Sequence, residues 1–170
     1  MLIIICALIG LIVLIFSLLF LVQGAPYVPS ADAKTKLMTK AVENNKSVKI
    51  LDMGCGDGKL VIAVAQLGYR VDGIELNPWL VFRARKSLKQ LHLSDKAQIF
   101  WGSFWSFDTS GYDTILLYAI AHIMPKLETK LKNELRPGSR IISNYYKFPN
   151  LKPVKSTGSI HIYISERMVK

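Results

Sequence analysis

The sequence contains little that could form a disulfide framework or a metal site. Only two of its 170 residues are cysteine, Cys6 in an apolar segment and Cys55 in a glycine-rich turn. Its three histidines, His92, His122 and His161, lie far apart. Neither a cysteine pair nor a closely spaced histidine pair is available to provide the ligand spacing of a zinc site. We therefore expect neither a disulfide-stabilised scaffold nor a bound metal.

Charge is absent from the first 31 positions, because Asp32 is the first charged residue. The chain as a whole has 22 Lys and Arg against 12 Asp and Glu, which gives a net charge of +10. Such an excess favours an acidic partner, nucleic acid or an anionic membrane surface, and charge alone does not choose among them. Beyond residue 22 the composition is that of one ordinary globular domain, so a polytopic membrane protein is excluded.

Residues 1–22 are almost entirely apolar and match the length of about 20 residues that a membrane-spanning helix needs. A cleaved signal peptide, with Ala25 as the first residue of the mature chain, is the alternative. No basic residue precedes the run, and the run exceeds the roughly 7–15 apolar residues typical of a signal peptide, so an anchor is favoured. Because Lys34, Lys36 and Lys40 follow it, the positive-inside tendency predicts a single-pass membrane protein whose following domain is cytoplasmic.

The rest of the chain alternates between strand and helix patterns. Residues 23–30 are typical of an extended linker with a Pro-Tyr-Val-Pro sequence, and residues 31–170 form the predicted domain. Strands are predicted over 48–53, 69–75, 97–101, 114–118, 139–146 and 160–165. One helix is predicted to begin after an N-cap at Ser30 and to end before Asn44, and further helices are predicted over 59–67, 78–90 and 126–135. This alternation predicts an α/β fold with a doubly wound, mostly parallel sheet.

The sequence Asp-Met-Gly-Cys-Gly-Asp-Gly, residues 52–58, connects the first predicted strand to a helix. Such a turn lets a ligand approach backbone amides at the carboxyl edge of an α/β sheet. A nicotinamide-dinucleotide site would need Gly-x-Gly-x-x-Gly, but Gly58 comes one residue early and Lys59 occupies the position of the third glycine. The pattern instead resembles the first motif of class I S-adenosylmethionine-dependent methyltransferases.

Two carboxylates near this turn suit that cofactor. Adenosylmethionine carries a cationic sulfonium and an ammonium, and Asp52 at the strand end would be a suitable partner for positive charge. Glu75 closes the second predicted strand, where a carboxylate can accept hydrogen bonds from both ribose hydroxyls, as in other Rossmann-like sites. We therefore expect S-adenosyl-L-methionine as the cofactor.

Longer segments resemble a particular family, the protein-lysine methyltransferases that modify the mitochondrial adenine nucleotide translocase and the ATP synthase c-subunit. The similar segments are residues 26–30, 52–58, 75–81, 104–105 and 124–128, which include Pro-Tyr-Val-Pro and Glu-Leu-Asn-Pro-Trp. The resemblance implies a Rossmann-like class I methyltransferase fold and transfer of a methyl group to a lysine amine of a membrane-associated protein. The residues expected to contact the cofactor are Asp52, Gly54, Gly56, Asp57, Gly58, Glu75, Asn77, Ser103 and Phe104.

Two features depart from the family pattern. Ser103 occupies a position where the family commonly has an aspartate that reaches the adenine amino group. The chain also stops soon after Ser165, so the sequence leaves room for a sheet truncated at its C-terminal strands. Both departures bear on whether the domain is active.

No catalytic base is assigned, because the methyl donor is already activated and proximity supplies much of the rate enhancement. An apolar pocket also lowers the pKa of a lysine acceptor. The candidate residues of the acceptor pocket are Tyr27, His122 and Tyr145. Tyr27 lies in the linker, His122 follows the fourth strand, and the ring face of Tyr145 can attract a cation.

Two other functions remain open. The domain could methylate a lipid or another small amphiphile, or it could be a catalytically silent domain that binds adenosylmethionine or serves as a scaffold. The expected partners are a membrane-associated protein substrate and a lipid bilayer contacted through residues 1–22, with no specific nucleic acid.

Overall fold

The computed structural model describes residues 4–11, 32–42 and 45–165, and residues 4–11 are helical. The strands that follow along the chain are β1 (Lys49–Met53), β2 (Arg70–Glu75), β3 (Ala97–Trp101), β4 (Thr114–Leu117), β5 (Arg140–Asn144), β6 (Lys155–Thr157) and β7 (Ile160–Ile164). The helices are α1 (Asp32–Ala41), α2 (Lys59–Gln66), α3 (Pro78–Gln90) and α4 (Met124–Glu134), with a 3₁₀ turn over Ala121–Ile123.

The strands form one seven-stranded sheet in the order β3-β2-β1-β4-β5-β7-β6. Strands β1 to β5 are parallel, whereas β7 pairs antiparallel with both β5 and β6. The predicted doubly wound, mostly parallel sheet is confirmed. The possible truncation at the C-terminal strands is not found, because β6 and the predicted last strand, β7, bring the sheet to seven strands. Strand β6 has only three residues, all exposed, so it has no apolar pattern by which the sequence could have revealed it.

The central strands β1, β4 and β5 are buried on both faces because helices cover both sides of the sheet. In β1, Ile50 and Leu51 are fully buried and belong to different core clusters. Ile50 packs with residues of α2 and α3 on one face. Leu51 packs with residues of α4 on the other. This two-sided packing buries β1 between the helices on the two faces of the sheet.

Helix α3 begins where the sequence predicts. The side chain of Asn77 accepts hydrogen bonds from the backbone N–H groups of Trp79 and Leu80, and Pro78 occupies the first helical turn. Helix α4 begins at Met124, two residues earlier than predicted, because it continues directly from the 3₁₀ turn. Strand β5 ends at Asn144, since the next residue, Tyr145, has φ of 79° and leaves the extended conformation.

The predicted single-pass membrane location, with the catalytic domain in the cytoplasm, is wrong. Across residues 4–11, 32–42 and 45–165, no helix combines the length and the apolar character that crossing a bilayer requires. Residues 1–3 and 12–22 of the predicted anchor and the linker at 23–30 lie outside the described residues.

Candidate functional site at the carboxyl edge of the sheet

The candidate site lies where the strand order reverses. Chain connections leave β1 and β4 in opposite directions across the sheet, and such a reversal opens a crevice at the carboxyl ends of the strands. Asp52 and Glu75 lie in the last two residues of β1 and β2. Ser103 follows β3, His122 follows β4 and Tyr145 follows β5. The fold therefore brings the predicted site residues of the described chain to one edge.

The glycine turn after β1 depends on conformations that other residues rarely adopt. Gly54, Gly56 and Gly58 have φ of 80°, 58° and 82°. The backbone N–H groups of Gly54 and Cys55 both donate to the carbonyl of Ile74, at 2.9 and 3.1 Å. These two hydrogen bonds hold the turn against β2. The other backbone N–H groups of the turn lie at the carboxyl edge of the sheet.

The end of the turn is packed closely against α3. A Cβ atom at Gly58 would lie 2.8 Å from the Cβ of Ala84, closer than two non-bonded carbon atoms can approach without a shift. Asp57, next to it, lies 3.9 Å from the guanidinium of Arg83 on the same helix. Because Gly58 has no side chain, α3 can pack closely against the turn. Asp57 pairs with Arg83 on that helix.

Glu75 connects the glycine turn to the start of α3. Its Oε2 accepts the N–H of Gly56 at 3.0 Å, and its Oε1 accepts the N–H of Asn77 at 2.8 Å. Each carboxylate oxygen can accept a second hydrogen bond, so both remain able to bind the hydroxyls of a ligand. Asn77 directs its side-chain oxygen to Trp79 and Leu80 of the helix, so its observed role is that of a helix cap.

Asp52 is almost fully buried, with 5% of its surface exposed. Burial, and then the nearby charge of Glu75, raise the pKa of its carboxyl group from 3.8 to about 7. A cation bound beside this pair would favour the charged form and lower the pKa again. The two carboxylates therefore fit a ligand that combines positive charge with vicinal hydroxyls, as adenosylmethionine does.

Ser103 and Phe104 form the turn after β3. The Oγ of Ser103 accepts the N–H of Trp105 at 3.3 Å, and its carbonyl accepts the N–H and the hydroxyl of Ser106, both at 3.2 Å. Phe104 packs against the ring of Trp105, with centroids 4.8 Å apart. Ser103 is half-buried at the site edge and at the same time closes its own turn.

The three residues predicted for the acceptor pocket have different outcomes. His122 is exposed in the 3₁₀ turn, and Tyr145 is 62% exposed with its ring edge-on to Tyr146 at 4.9 Å. Both lie at the carboxyl edge of the sheet. Tyr27 lies outside the described residues.

A glycine in β2, missed by the sequence analysis, also shapes the site. A Cβ atom at Gly73 would lie 2.6 Å from the Sγ of Cys55 and 2.9 Å from Cδ1 of Ile99. Only glycine leaves room for the turn to pack over β2. The available signal was a glycine inside a predicted strand, which often marks the close approach of another part of the backbone.

Lys34 and Tyr118 form a second pair that the sequence analysis missed. The Nζ of Lys34, on α1, donates to the hydroxyl of Tyr118, directly after β4, at 3.2 Å. The same ammonium lies 5.0 Å from the centre of the tyrosine ring. The residues are 84 positions apart, so no local pattern connects them.

With this geometry in place, comparison with known proteins identifies the family. The family model described as the ANTKMT methyltransferase domain matches residues 52–155, which is more than half of the chain. The chain belongs to this family. The predicted relationship to the protein-lysine methyltransferases is confirmed. That prediction was made from the resemblance of residues 26–30, 52–58, 75–81, 104–105 and 124–128.

Two curated relatives are named for lysine methylation of two different proteins. The chain is 32% identical over 133 residues to the Rattus norvegicus lysine N-methyltransferase of the ATP synthase c-subunit, a match that covers 78% of this chain and 61% of the relative. It is 31% identical over 134 residues to the adenine nucleotide translocase lysine N-methyltransferase of Mus musculus, covering 78% and 58%. The chain thus spans about three fifths of the length of these relatives.

A solved structure agrees on fold and cofactor. The RNA methyltransferase of Salinibacter ruber, in complex with S-adenosyl-L-homocysteine, has a TM-score of 0.74 and 27% sequence identity. The match covers 81% of this chain and 92% of that one. Together with the family, this confirms S-adenosylmethionine as the predicted cofactor. Asp52, Glu75 and the glycine turn fit that ligand in charge and conformation.

Proposed function

We propose that this protein is an S-adenosylmethionine-dependent lysine N-methyltransferase that acts on a membrane-associated protein. The observation that carries the proposal is the pair of carboxylates, Asp52 and Glu75, beside a glycine turn at the strand-order reversal. The relatives support the acceptor, because they are named for lysine methylation of the ATP synthase c-subunit and of the adenine nucleotide translocase. Residues 31–170 are the proposed catalytic domain.

Each cofactor-binding residue has a proposed role. Glu75 accepts hydrogen bonds from the ribose hydroxyls while it holds Gly56 and Asn77 in position. Asp52 neutralises positive charge on the cofactor. Gly54, Gly56 and Gly58 allow its close approach to the backbone. Asp57, Asn77, Ser103 and Phe104 complete the proposed site by shaping the turns that surround it.

The cofactor, when bound, supplies a methyl group on a positively charged sulfur. The lysine nitrogen must offer its lone pair, so the ammonium first loses one proton to water. The N–C bond then forms as the C–S bond breaks, and that electron pair stays on sulfur. The protein's part is to align the two groups and exclude water, which can contribute roughly 7–11 kcal/mol. Tyr27, His122 and Tyr145 are the proposed surroundings of the acceptor.

The decisive experiment is transfer of a labelled methyl group from adenosylmethionine to a membrane fraction that is then separated into protein, lipid and RNA. We expect label in protein, on lysine after hydrolysis. Label in lipid would support methylation of an amphiphile instead. Label in RNA would favour the activity named for the Salinibacter neighbour, which the net charge of +10 also suits.

Glu75→Ala is the matched inactive variant. It should lower cofactor affinity at least tenfold in calorimetry, because it removes a charged hydrogen-bond acceptor, for which losses of about 1.5–3 kcal/mol are typical. Wild-type affinity in this variant would contradict the proposed site. Cofactor binding by the wild-type protein without transfer to any fraction would instead support a catalytically silent domain.

A further inference from the structure

Asn144, the last residue of β5, carries a buried polar atom with no partner. The residue is 3% exposed. Within the described ranges 4–11, 32–42 and 45–165, no group forms a hydrogen bond with its Oδ1. A buried acceptor left unpaired costs stability, so its presence calls for an explanation.

The position of Asn144 relates it to the candidate site. Ser143 is in register with Leu117, so Asn144 lies beside the residue that follows β4, Tyr118, at the carboxyl edge of the sheet. Side chains alternate along a strand, so Asn144 shares its face with Ile142. Ile142 packs in the same core cluster as Ile50 of β1, and Asp52 lies on that face two residues further on.

The backbone next to Asn144 is also unusual. Tyr145 has φ of 79°, a conformation that residues with a side chain rarely adopt and that clusters at functional sites. Its N–H donates to the carbonyl of Ser159 at 2.7 Å, which holds the chain in this turn. The turn ends β5 directly after Asn144, so the strand places the amide at the sheet edge.

We propose that Oδ1 of Asn144 accepts a hydrogen bond from the amine of the substrate lysine, and this inference rests on the proposed function. The amine is the only polar group of the lysine side chain, and its N–H groups are donors. A neutral carbonyl oxygen is therefore a matching partner. Accepting one N–H orients the nitrogen and leaves its lone pair free for the methyl group. Because the amide is uncharged, it does not hold the extra proton on the amine as a carboxylate would.

The test uses N-acetyl-lysinamide as the probe, titrated into the protein loaded with S-adenosylhomocysteine and followed by NMR. Binding by the wild-type protein should shift the side-chain amide signal of Asn144. Asn144→Leu, which has the same number and branching of side-chain heavy atoms, should weaken binding about tenfold, which corresponds to one lost hydrogen bond. Its cofactor affinity should stay within a factor of two, and its melting temperature should be equal to or above that of the wild type.

Thr114→Val is the matched control. Thr114 is also fully buried, with no partner for its Oγ1 among the described residues, but it begins β4 at the opposite edge of the sheet. This variant should gain similar stability and bind the probe as the wild type does. Equal changes in both variants would mean that the unpaired amide has only a structural effect.

Asn144→Asp gives a second readout that does not depend on the stability of the leucine variant. A carboxylate should bind the ammonium form of the probe more tightly at pH 7 than the amide does. The inference is overturned if the wild-type protein does not bind the probe, or if both Asn144 variants bind it as the wild type does. Failure of the proposed function would be separate, since it appears as absent transfer by the wild-type protein in the labelled-methyl experiment.

Discussion

At the scale of single residues, Asp52 links the stability of the fold to its ligand. The carboxyl group is buried beside Glu75, and its pKa in the folded protein is raised to about 7. Such an arrangement destabilises the ligand-free protein when the group is charged, and a bound cation relieves that cost. The residue is therefore better suited to ligand binding than to stability.

The pH dependence of Asp52→Asn follows from this pKa. The folded protein holds a proton that the unfolded chain, with a pKa of 3.8, has lost, so stability decreases as pH rises from about 4 to 7 and stays lower above. The ligand-free variant should melt at nearly the same temperature as wild type near pH 4 and higher above pH 7. Thermal melts from pH 4 to 8 measure this, and curves that remain parallel throughout would contradict it.

Asp52 also predicts proton release when the cofactor binds. At pH 6, below the raised pKa, the carboxyl group is largely protonated and should lose its proton as the cationic ligand arrives. Calorimetry in two buffers of different ionisation enthalpy would count the protons released. We expect release at pH 6 that fades by pH 8.5, and none from Asp52→Asn at either pH. Equal release by the wild type and the variant would exclude Asp52 as the source.

At the scale of elements, the contact between the glycine turn and β2 sets the shape of the site. Cys55 packs directly over Gly73, and both backbone amides at the start of the turn bond to Ile74. Burial and the neighbouring carboxylates raise the pKa of the Cys55 thiol well above its usual value, so it is a packing group and a poor nucleophile. The position of the glycine turn therefore depends on the absence of a side chain at Gly73 in β2.

Gly73→Ala tests this contact. A methyl group 2.6 Å from the Cys55 sulfur must displace the turn, which should cost about 1–3 kcal/mol of stability and lower cofactor affinity. Chemical denaturation and calorimetry measure the two effects. Adding Cys55→Ala should restore part of both.

The matched control for this substitution is Gly111→Ala. Nothing lies within 4 Å of a Cβ atom built there, and its φ does not require glycine. This variant should behave as the wild type does. If Gly73→Ala were equally harmless, the close packing of the turn on β2 would not matter for binding.

At the scale of the whole molecule, the short C-terminal part completes the sheet. Strand β7 covers the edge of β5, and its Tyr163 is fully buried with its ring edge-on to Phe148 at 5.0 Å. Ending the chain after residue 151 should therefore yield an insoluble or unfolded protein, while ending it after residue 165 should retain the fold. Circular dichroism and size-exclusion chromatography distinguish these outcomes, and a folded, cofactor-binding protein ending at 151 would contradict the prediction.

Much of the fold and the centre of the site could be predicted because their signals are local. The glycine spacing from Gly54 to Gly58 and the alternation of strands with helices both appear within short stretches of sequence. Asn77 and Pro78 marked the start of α3 correctly. Strand β6 escaped prediction because its three residues are exposed and bear no apolar pattern.

The sequence by itself determined the fold class, the glycine turn, its carboxylate partners and hence the cofactor. Only the tertiary structure decided which atoms are buried and which remain unpaired. Gly73 meets Cys55, Lys34 bonds Tyr118, and Oδ1 of Asn144 is left without a described partner. The physical reason is that conformational preferences act between near neighbours in the chain, whereas packing and hydrogen-bond satisfaction depend on residues that come together only in the folded sheet.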